Sequence, residues 1–515
     1  MEQFLRRHLD KLGRAAGAAA AAYAGYHLLQ LIGRWGISAL TRSFTARLLQ
    51  DTYDENLWEL VHASSRVTPQ IVLENALRAE SGHVITRPLG SRRRYKELDT
   101  ITFDIAQLAR EPRPSNLSVD TAVVLGPRAQ APLRLEIPIM VAGMGYGLAL
   151  SGPAKIALAN GARMAGTASN SGEGLIAPGE LEAAGKYVLQ IGRACWNREI
   201  SLIKRADMIQ IQLGQGASGG SGHPIGYDDL NQLTRRAFKL RKNEQIIIHT
   251  QLPEIKNAKQ LSAVVRSLRE LTPVPIDVKI GAGKFLEEDM QMAIDAGVDS
   301  ISIDGAQAGS HAAAPILMDD FGLPTFHALV RAADFLEHNG YKGEISLIIS
   351  GGLYTPGDFL KCLALGADAV AIGTAALLAI SHTPVAQLLP WEPPTQLVYA
   401  TGKHKDSFCP KQGATDLYHF LMSCVDEMIL GTRTLGKQSL AAIDRNDLMS
   451  YDPQVAQTAG IDYMGTPQTI GRGASLQPEW LRREHERAHE AAIELVKRRF
   501  ACVNLLDTAP AKQSL

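Results

Sequence analysis

The sequence predicts an α/β fold, a (β/α)8 TIM barrel with an N-terminal helical lead-in and a C-terminal helical extension. Eight short apolar segments recur between Ile137 and Thr374, helical stretches separate most of them, and each ends on glycine or a small polar residue. Near-continuous apolar runs are typical of parallel strands that are buried on both faces. Eight such strands in about 240 residues match the size of this barrel, whereas a doubly wound open sheet would have fewer.

The predicted strands set the order of the other elements. They are Ile137–Gly143, Ala165–Gly172, Tyr187–Gly192, Met208–Gly214, Ile276–Gly281, Ser300–Gly305, Ser346–Gly352 and Ala369–Thr374. Helices are predicted between them, for example over Ala258–Leu271 and Glu287–Gly297. Long glycine-rich loops follow strand four, at Gly214–Leu240, and strand six, at Gly305–Pro324. Such loops at the C-terminal ends of barrel strands usually carry function.

The regions outside the barrel read differently. Residues 1–40 are predicted to form an Ala-rich N-terminal helix, and residues 41–118 a lead-in that packs outside the barrel. Residues 119–389 are predicted to form the barrel, and residues 390–515 a helical extension. The arginine-rich run Ser91–Leu98 is interpreted as a solvated face. Helices are predicted over Gly413–Gly431 and Pro478–Phe500. The second contains His485–His489, which matches the HExxH zinc pattern in form but is interpreted as a charged, solvated helix face.

The N-terminal segment Ala15–Gly33 contains no Asp, Glu, Lys or Arg over 19 residues. Its length suits a membrane-spanning helix, but alanine is weakly apolar, and His27 and Gln30 would face lipid. Two interpretations stay open, a membrane anchor and an Ala-rich soluble or interfacial helix. We expect the protein on the cytoplasmic side, with membrane attachment through residues 15–33 as the open alternative.

The composition argues against some classes of partner and site. The 53 basic and 53 acidic residues balance, whereas a nucleic-acid-binding protein is expected to carry a basic surface. The cysteines form no CxxC pair, so neither a structural zinc site nor an iron–sulfur cluster is expected. They are Cys195, Cys362, Cys409, Cys424 and Cys502. A sparse, odd set of cysteines also favours a reducing compartment.

Two neighbouring strand ends have the pattern of a phosphate-binding site. Strand seven ends in Ser350, Gly351 and Gly352, and strand eight ends in Gly373 and Thr374. Glycines there let backbone N–H groups approach an anion closely, and phosphate sites after strands seven and eight are common in these barrels. The alternative is that the glycines only permit tight turns.

Three polar side chains are candidates for catalysis at the same face. Lys279 lies within strand five, where a buried ammonium group needs an anionic or electron-rich partner. It is interpreted either as a group that stabilises charge on a bound cofactor or as the ion-pair partner of Asp277 or Asp304. Glu173 and Gln215 lie on glycine-rich loops, where each is a candidate for chemistry or for bracing its loop by hydrogen bonds.

Several ordered segments resemble the FMN-binding domain of glutamate synthases and their shorter relatives. They are MVAGMGYGLALSGPAKIALANGARMAGTASNSGEG, MIQIQLGQGA, IDVKIGAGK, ISIDGAQAGSHAAAP and LIISGGLYTPGDFLKCLALGADAVAIGTAAL. The resemblance extends from Val119 to Leu378 and implies FMN bound at the barrel mouth. The FMN contacts that it implies are Ala142, Gly143, Met144, Asn170, Gln215, Lys279, Gly305, Gly309, Ser350, Gly351, Gly352, Gly373 and Thr374. It also implies that Glu173 lies on the substrate side of the flavin ring.

The chain departs from the family pattern in ways that bear on the substrate and the partners. Ser218 stands where the resemblance implies a lysine for binding a 2-oxoacid, and His311 stands in a loop that usually reads Gly-Gly-Thr-Gly. The cysteines of an iron–sulfur centre after strand eight are missing, and no amidotransferase domain is expected. A separate electron-donor or amidotransferase protein is therefore expected as a partner.

The resemblance implies a flavin-dependent oxidoreductase acting on CH–NH2 donors, which reduces an imine formed from a 2-oxoacid and an amine or ammonia. Two alternatives stay open. One is a catalytically degenerate FMN-binding or electron-relay protein. The other is a different phosphate-binding barrel, similar to IMP dehydrogenases or 2-hydroxyacid oxidases. The second is disfavoured, because no cysteine lies between Trp196 and Lys361 and no His-Gly-Gly-Arg-type segment precedes strand seven.

Overall fold

Eight parallel strands form one sheet, and each corresponds to one apolar segment of the sequence. They are β1 (Ile139–Val141), β2 (Ala168–Asn170), β3 (Lys186–Ile191), β4 (Met208–Gln212), β5 (Ile276–Gly281), β6 (Ser300–Asp304), β7 (Ser346–Ser350) and β8 (Ala369–Ile372). The hydrogen-bonded order is β1-β8-β7-β6-β5-β4-β3-β2. At the remaining seam, Thr167 Oγ1 donates to the Ile139 carbonyl at 2.7 Å. The predicted (β/α)8 barrel is confirmed.

The structure is a computed structural model that describes residues 26, 28, 30–50, 52, 67–108, 110–194, 196–230, 232–383, 393–466 and 490–494. Most of Ala15–Gly33, the segment His485–His489, Cys195 and Cys502 lie outside these residues. Within the described ranges, no helix is both long enough and apolar enough to cross a membrane.

Helices connect the strands and cover the outside of the barrel. The α-helices of the described part of the chain span 30–50, Pro69–Ser81, Gly152–Met164, Glu180–Ala183, Ile200–Ile203, Gln232–Ala237, Ala258–Leu271, Leu286–Asp295, Pro315–Asp319, Thr325–His338, Pro356–Ala364, Thr374–Ile380, Pro393–Leu397, Pro410–Thr434, Pro453–Ala459 and 490–494. Local sequence sets their starts. Ser151 caps one helix by accepting from Ala154 N, and Thr355 forms a capping box with Asp358 before another.

Short strands outside the barrel sheet form small sheets around it. They are Arg87–Leu89, Ile101–Phe103, Val123–Leu125, Leu133–Leu135, His223–Ile225, Ile246–Ile248, Ser310–Ala313, Leu448–Ser450 and Asp462–Tyr463. The hairpin of Val123–Leu125 and Leu133–Leu135 fills the N-terminal end of the barrel, because its leucines pack on Met140, Met208 and Ile348 from three barrel strands. The apolar core therefore continues into the barrel interior at this end.

A polar layer lies above this apolar layer, toward the C-terminal ends of the strands. Gln210 Nε2 donates to Asp277 Oδ2 at 2.8 Å and to Ser302 Oγ at 3.1 Å, and Asn170 Nδ2 donates to Gln210 Oε1 at 3.0 Å. Burial raises the pKa of Asp277, although hydrogen bonds from Ser300, Gln210 and Ser302 act in the opposite direction. Asn170, Gln210, Asp277 and Ser302 thus form a hydrogen-bonded polar layer beneath the C-terminal face.

The long helix Pro410–Thr434 packs against Gly152–Met164 on the outside of the barrel. Gly161 permits this close approach, since a Cβ there would lie 2.8 Å from Leu417 Cδ2 and 2.9 Å from the Ala414 carbonyl. The predicted helix Gly413–Gly431 is confirmed and is longer by three residues at each end.

The lead-in reaches the C-terminal face of the barrel. Its strand Arg87–Leu89 pairs antiparallel with Ser310–Ala313, in the loop after β6. Just after that strand, Arg92 Nε donates to Asp319 Oδ2 at 3.2 Å, and Arg93 binds Asp320. The arginines of this run are exposed, as the interpretation of a solvated face predicts, and two of them also bind acids of the loop after β6.

Candidate active site

A cavity of about 550 Å³ lies over the C-terminal ends of the barrel strands. Residues at or just after all eight strands contribute to its wall, and three residues of the lead-in, Val84, Thr86 and Leu89, complete one side. The volume falls within the roughly 300–1,000 Å³ that is usual for small-molecule sites. This position is the one at which barrel enzymes build their active sites.

Most sequence-predicted site residues lie together in this wall. They are Ala142, Gly143, Met144, Glu173, Gln215, Lys279, Gly309, Ser350, Gly351, Gly352, Gly373 and Thr374. Asn170 and Gly305 lie behind the wall. Asn170 is buried and accepts from Gly172 N at 2.8 Å, and the space beside Gly305 is filled by Thr325. The roles assigned to all these residues stay predictions.

Lys279 and Asp304 form a buried ion pair in the cavity wall. Lys279 Nζ lies 3.2 Å from Asp304 Oδ2, and the two residues are only 7% and 3% exposed. Asp304 also accepts a hydrogen bond from Ser350 Oγ and one of 3.4 Å from Gly216 N. One of the two predicted partners of Lys279 is thus present. The pair fixes the ammonium group of Lys279 at the C-terminal end of β5, with Asp304 as its counter-ion.

Glu173 and Arg193 form a second ion pair in the wall. Glu173 Oε1 accepts from Arg193 N at 2.9 Å, and Glu173 Oε2 lies 3.6 Å from Arg193 Nη2. Arg193 is 1% exposed although it lines the cavity, and its Nη1 donates to the Ser221 carbonyl at 3.3 Å. These contacts fix the loops after β2, β3 and β4 against one another.

A chain of side-chain amides runs from the barrel interior to the loop after β4. Gln190 Nε2 donates to Gln212 Oε1, Gln212 Nε2 donates to Gln215 Oε1 at 3.1 Å, and Gln215 Nε2 donates to Ser218 Oγ at 3.0 Å. At the inner end, Gln190 Oε1 is buried without a hydrogen-bond partner and lies against Gly143. Gln215 therefore braces its loop, as one of its two interpretations held, and also lines the cavity.

Glycines open the wall after β7 and β8. Gly351 and Gly352 have φ values of 120° and 66°, which favour glycine because a side chain is strained there. A Cβ added to Gly373 would meet nothing within 4 Å, so this backbone borders open space. Side chains at Gly351 and Gly352 would meet Thr325 and Gln307, so of the three glycines Gly373 is the one that leaves room for a group that contacts the backbone directly.

Lys155 supports the wall from behind. Its Nζ donates to the carbonyls of Met144 and Asn170, both at 2.7 Å, and to the Ser171 carbonyl at 3.1 Å. It also lies 3.0 Å from Glu180 Oε1, and both side chains are buried. The loops after β1 and β2 are therefore held by one cation. A helical lysine gives no such signal in the sequence, so this residue was missed.

Arg193 and Gln190 were also missed as site residues. Polar side chains at Gln190, Gln210 and Gln212 interrupt otherwise apolar strands, and this pattern is a usable signal for an inward-facing polar position. Arg193 follows β3 directly, at the face where barrel sites form. Among the described residues, no group of three or more His, Cys, Asp or Glu side chains is placed to hold a metal ion.

Sequence comparison matches this region to a known family. The family model described as the conserved region in glutamate synthase matches residues 86–385. A glutamate synthase large subunit-like protein from Rhizobium meliloti is 32% identical over 419 residues, which cover 77% of this chain and 93% of that protein. An archaeal-type glutamate synthase (NADPH) from Dehalococcoides mccartyi is 28% identical, with coverage of 61% and 66%. The chain spans 49% of the archaeal glutamate synthase (NADPH) from Methanocaldococcus jannaschii, to which it is 31% identical.

Solved structures with a similar course of the chain include a flavocytochrome b2 variant. It has a TM-score of 0.46 and 17% sequence identity, and the match covers 85% of this chain and 98% of that one. A mandelate oxidase variant has a TM-score of 0.41 and 16% identity, with coverage of 68% and 86%.

Proposed function

The chain belongs to the glutamate synthase family, and on this premise we propose that it is an FMN-dependent oxidoreductase that reduces an imine formed from a 2-oxoacid and an amine or ammonia. The observation that carries the proposal is the cavity, because its wall joins a glycine-lined recess, a buried lysine and a carboxylate within the region that matches the family. The names of the relatives, which are glutamate synthases, support the reaction type.

The wall residues fit FMN in three respects. The backbone at Gly373, which borders open space in the same wall as Gly351 and Gly352, suits a phosphate group that binds N–H donors. Directly behind the wall at Gly143, Gln190 Oε1 is a buried acceptor without a hydrogen-bond partner, which a ring N–H of a flavin would satisfy. Lys279 offers a positive charge to the electron-rich edge of the ring. When bound, FMN supplies the hydride that reduction of an imine requires.

The chain's own side chains would orient and enclose the substrate. Glu173 is fixed by Arg193 N and faces Arg193 Nη2, and it is placed to hold or release a proton at its Oε2. Leu148 and Ile248 belong to an apolar cluster that borders the same cavity and would exclude water from it. Asp304 fixes the Nζ of Lys279, so its charge needs no rearrangement during the reaction.

We also propose that electrons reach the flavin from a separate donor protein. The expected partner follows from the missing iron–sulfur cysteines after strand eight and from the NADPH named for two relatives. A nitrogen-supplying amidotransferase is the second partner that the family resemblance suggests.

The test is to reduce the purified FMN-loaded protein with light under anaerobic conditions and to follow the flavin absorbance on adding substrates. A 2-oxoacid together with ammonia or an amine is expected to reoxidise the flavin, and the corresponding amino acid should form. Neither substrate alone should do so. A yellow protein that no combination of 2-oxoacid and amine reoxidises would favour the electron-relay alternative.

A further inference from the structure

We propose that the helix 30–50 binds the surface of an anionic lipid bilayer and lies along that surface. The proposal does not depend on the flavin chemistry, because no described residue of this helix lines the cavity. Three features of the helix carry the proposal. They are its exposed apolar side chains, the arrangement of its polar residues and its charge.

Large apolar side chains of this helix face solvent. None of the residues described between positions 30 and 50 is buried, and Trp35 and Leu40 are 71% and 73% exposed. The large apolar side chains exposed between positions 31 and 44 are Leu31, Ile32, Trp35, Ile37, Leu40 and Phe44. Single apolar residues on a protein surface are ordinary, but a contiguous group of this kind marks a surface that binds a partner.

Polar residues form a stripe along one side of the helix. Gln30, Arg34, Ser38, Thr41 and Thr45 follow one another at intervals of three or four residues, and this spacing places them on one face. The six apolar side chains occupy the other positions around the helix axis. A helix with a polar stripe and a wide apolar face suits the boundary between lipid headgroups and acyl chains.

The charge of this segment favours an anionic partner. Residues 11–50 contain five Lys or Arg and no Asp or Glu, although the whole chain has 53 basic and 53 acidic residues. A second copy of the helix would bring like charges together, which is unfavourable. Anionic phospholipid headgroups, by contrast, complement a cluster of basic residues beside an apolar surface.

The positions of the arginines set the orientation. Arg34, Arg42 and Arg47 are spread along the helix. When the helix lies parallel to the bilayer, each guanidinium group reaches the headgroups, because a long side chain extends its charge toward water. A helix that stood across the bilayer would place at least one of these charges among acyl chains, which is costly.

The test is sedimentation of the purified full-length protein with lipid vesicles. One vesicle is phosphatidylcholine alone, and the other is an equimolar mixture of phosphatidylcholine and phosphatidylglycerol. We expect binding to the mixed vesicles to be tighter by about tenfold or more. This binding should weaken at high salt, because salt screens the attraction between arginines and headgroups.

Two pairs of variants separate the apolar and the charged contributions. Leu40→Glu is expected to weaken binding to the mixed vesicles by about tenfold or more, whereas Leu108→Glu should not, because Leu108 is fully exposed outside this helix. The double variant Arg34→Gln, Arg42→Gln should weaken the same binding by about tenfold or more. Arg134→Gln is its control, since Arg134 is exposed on the hairpin strand Leu133–Leu135.

The proposal is overturned if the wild-type protein stays in solution with both vesicles, or if it binds phosphatidylcholine alone as tightly as the mixture. Equal losses of binding for Leu40→Glu and Leu108→Glu would also overturn it. Sedimentation velocity provides a second measurement. A dimer that ignores vesicles and that Leu40→Glu converts into a monomer would assign the apolar face to a second copy of the chain, against the proposal.

Discussion

Lys155 illustrates how one buried side chain sets the geometry of two segments of the cavity wall. Its ammonium group binds the carbonyls of Met144, Asn170 and Ser171 together with the carboxylate of Glu180. Glu180 also accepts from Tyr187 OH and Ala177 N, but Lys155 is its counter-ion, and a buried carboxylate without a counter-ion is strongly unfavourable. The position of Met144 beside the cavity depends on these contacts.

Lys155→Met is therefore expected to lower the free energy of unfolding by about 3–5 kcal/mol, because Glu180 stays buried without its counter-ion. FMN affinity should fall as well, since the loops after β1 and β2 lose their common anchor. Urea unfolding and fluorescence titration with FMN measure the two effects. Lys186→Met is the control, because Lys186 is 45% exposed in its pair with Asp207. This substitution should lower the free energy of unfolding by at most about 1 kcal/mol. Equal effects of both variants would contradict the role of Lys155.

Single residues differ in how far the sequence reveals them. Lys279 is conspicuous because it interrupts an apolar strand, and the structure gives it one of the two predicted partners, Asp304. Lys155 is inconspicuous because helices normally expose their lysines. It is buried because the barrel packs on one side of its helix and the helix Pro410–Thr434 packs on another, and this is a tertiary arrangement that no local pattern encodes.

Among the elements, the strand Arg87–Leu89 joins the lead-in to the rim of the cavity. Asp319 fixes it by accepting from Arg87 Nη2 and Ser91 Oγ, both at 2.8 Å, and Arg87 Nη1 also donates to Glu74 at 2.8 Å. Burial acts to raise the pKa of Asp319, but the hydrogen bonds from Arg87 and Ser91 outweigh it, so the pKa is lowered. Because the folded state prefers the carboxylate, this stability is present above the ordinary pKa and is lost as the pH falls.

Asp319→Asn is expected to destabilise the protein by about 1.5–3 kcal/mol at pH 7, because charge-assisted hydrogen bonds are replaced by neutral ones. The difference from the wild type should shrink as the pH falls below 4, where the wild-type carboxyl group also becomes neutral. Asp320→Asn is the adjacent control, since Asp320 is 48% exposed in its pair with Arg93. Urea unfolding at several pH values tests both variants, and a pH-independent difference for Asp319→Asn would refute the explanation.

In the turn before β8, the carboxyl group of Asp368 has a raised pKa, in contrast to the lowered pKa of Asp319. Burial raises the pKa of Asp368 to about 6, although Asp368 Oδ2 accepts from Leu347 N at 2.7 Å. The folded state therefore prefers the protonated form, and stability falls as the pH rises from about 4 to about 6.

Asp368→Asn keeps a neutral acceptor for Leu347 N and should remove this dependence. The variant is expected to match the wild type near pH 4 and to exceed its free energy of unfolding by about 1–3 kcal/mol at pH 7. Urea unfolding between pH 4 and pH 7 measures the gap. A gap that stays constant across this range would show that the carboxyl group is not the cause.

The sequence predicted the eight barrel strands because parallel strands buried on both faces are long apolar runs. It did not predict the strands Arg87–Leu89 and Ser310–Ala313, because each has only three or four residues and is stabilised by its partner across the cavity rim. The pairing of the lead-in with the loop after β6 therefore had to come from the structure. The domain boundaries and the roles of the site residues stay predictions.

At the scale of the whole molecule, closure of the barrel brings the C-terminal ends of its strands together around one cavity. All eight strand ends contribute to one cavity, so residues as distant in sequence as Ala142 and Thr374 border the same space. The sequence predicted most of this wall because the strand ends share one face of the barrel. It did not predict which wall charges neutralise one another, since this depends on side-chain distances, and those pairs bear on the substrate.

The central claim is that this cavity holds FMN, and the most direct test is the FMN content of the purified protein after incubation with FMN and gel filtration. We expect about one FMN per chain, measured by absorbance and confirmed by release on denaturation. Gly373→Leu should lose the FMN with little change in unfolding free energy, because its φ of −105° tolerates a side chain and its Cβ would enter open space. A folded wild-type protein that stays colourless and retains no FMN would contradict the claim.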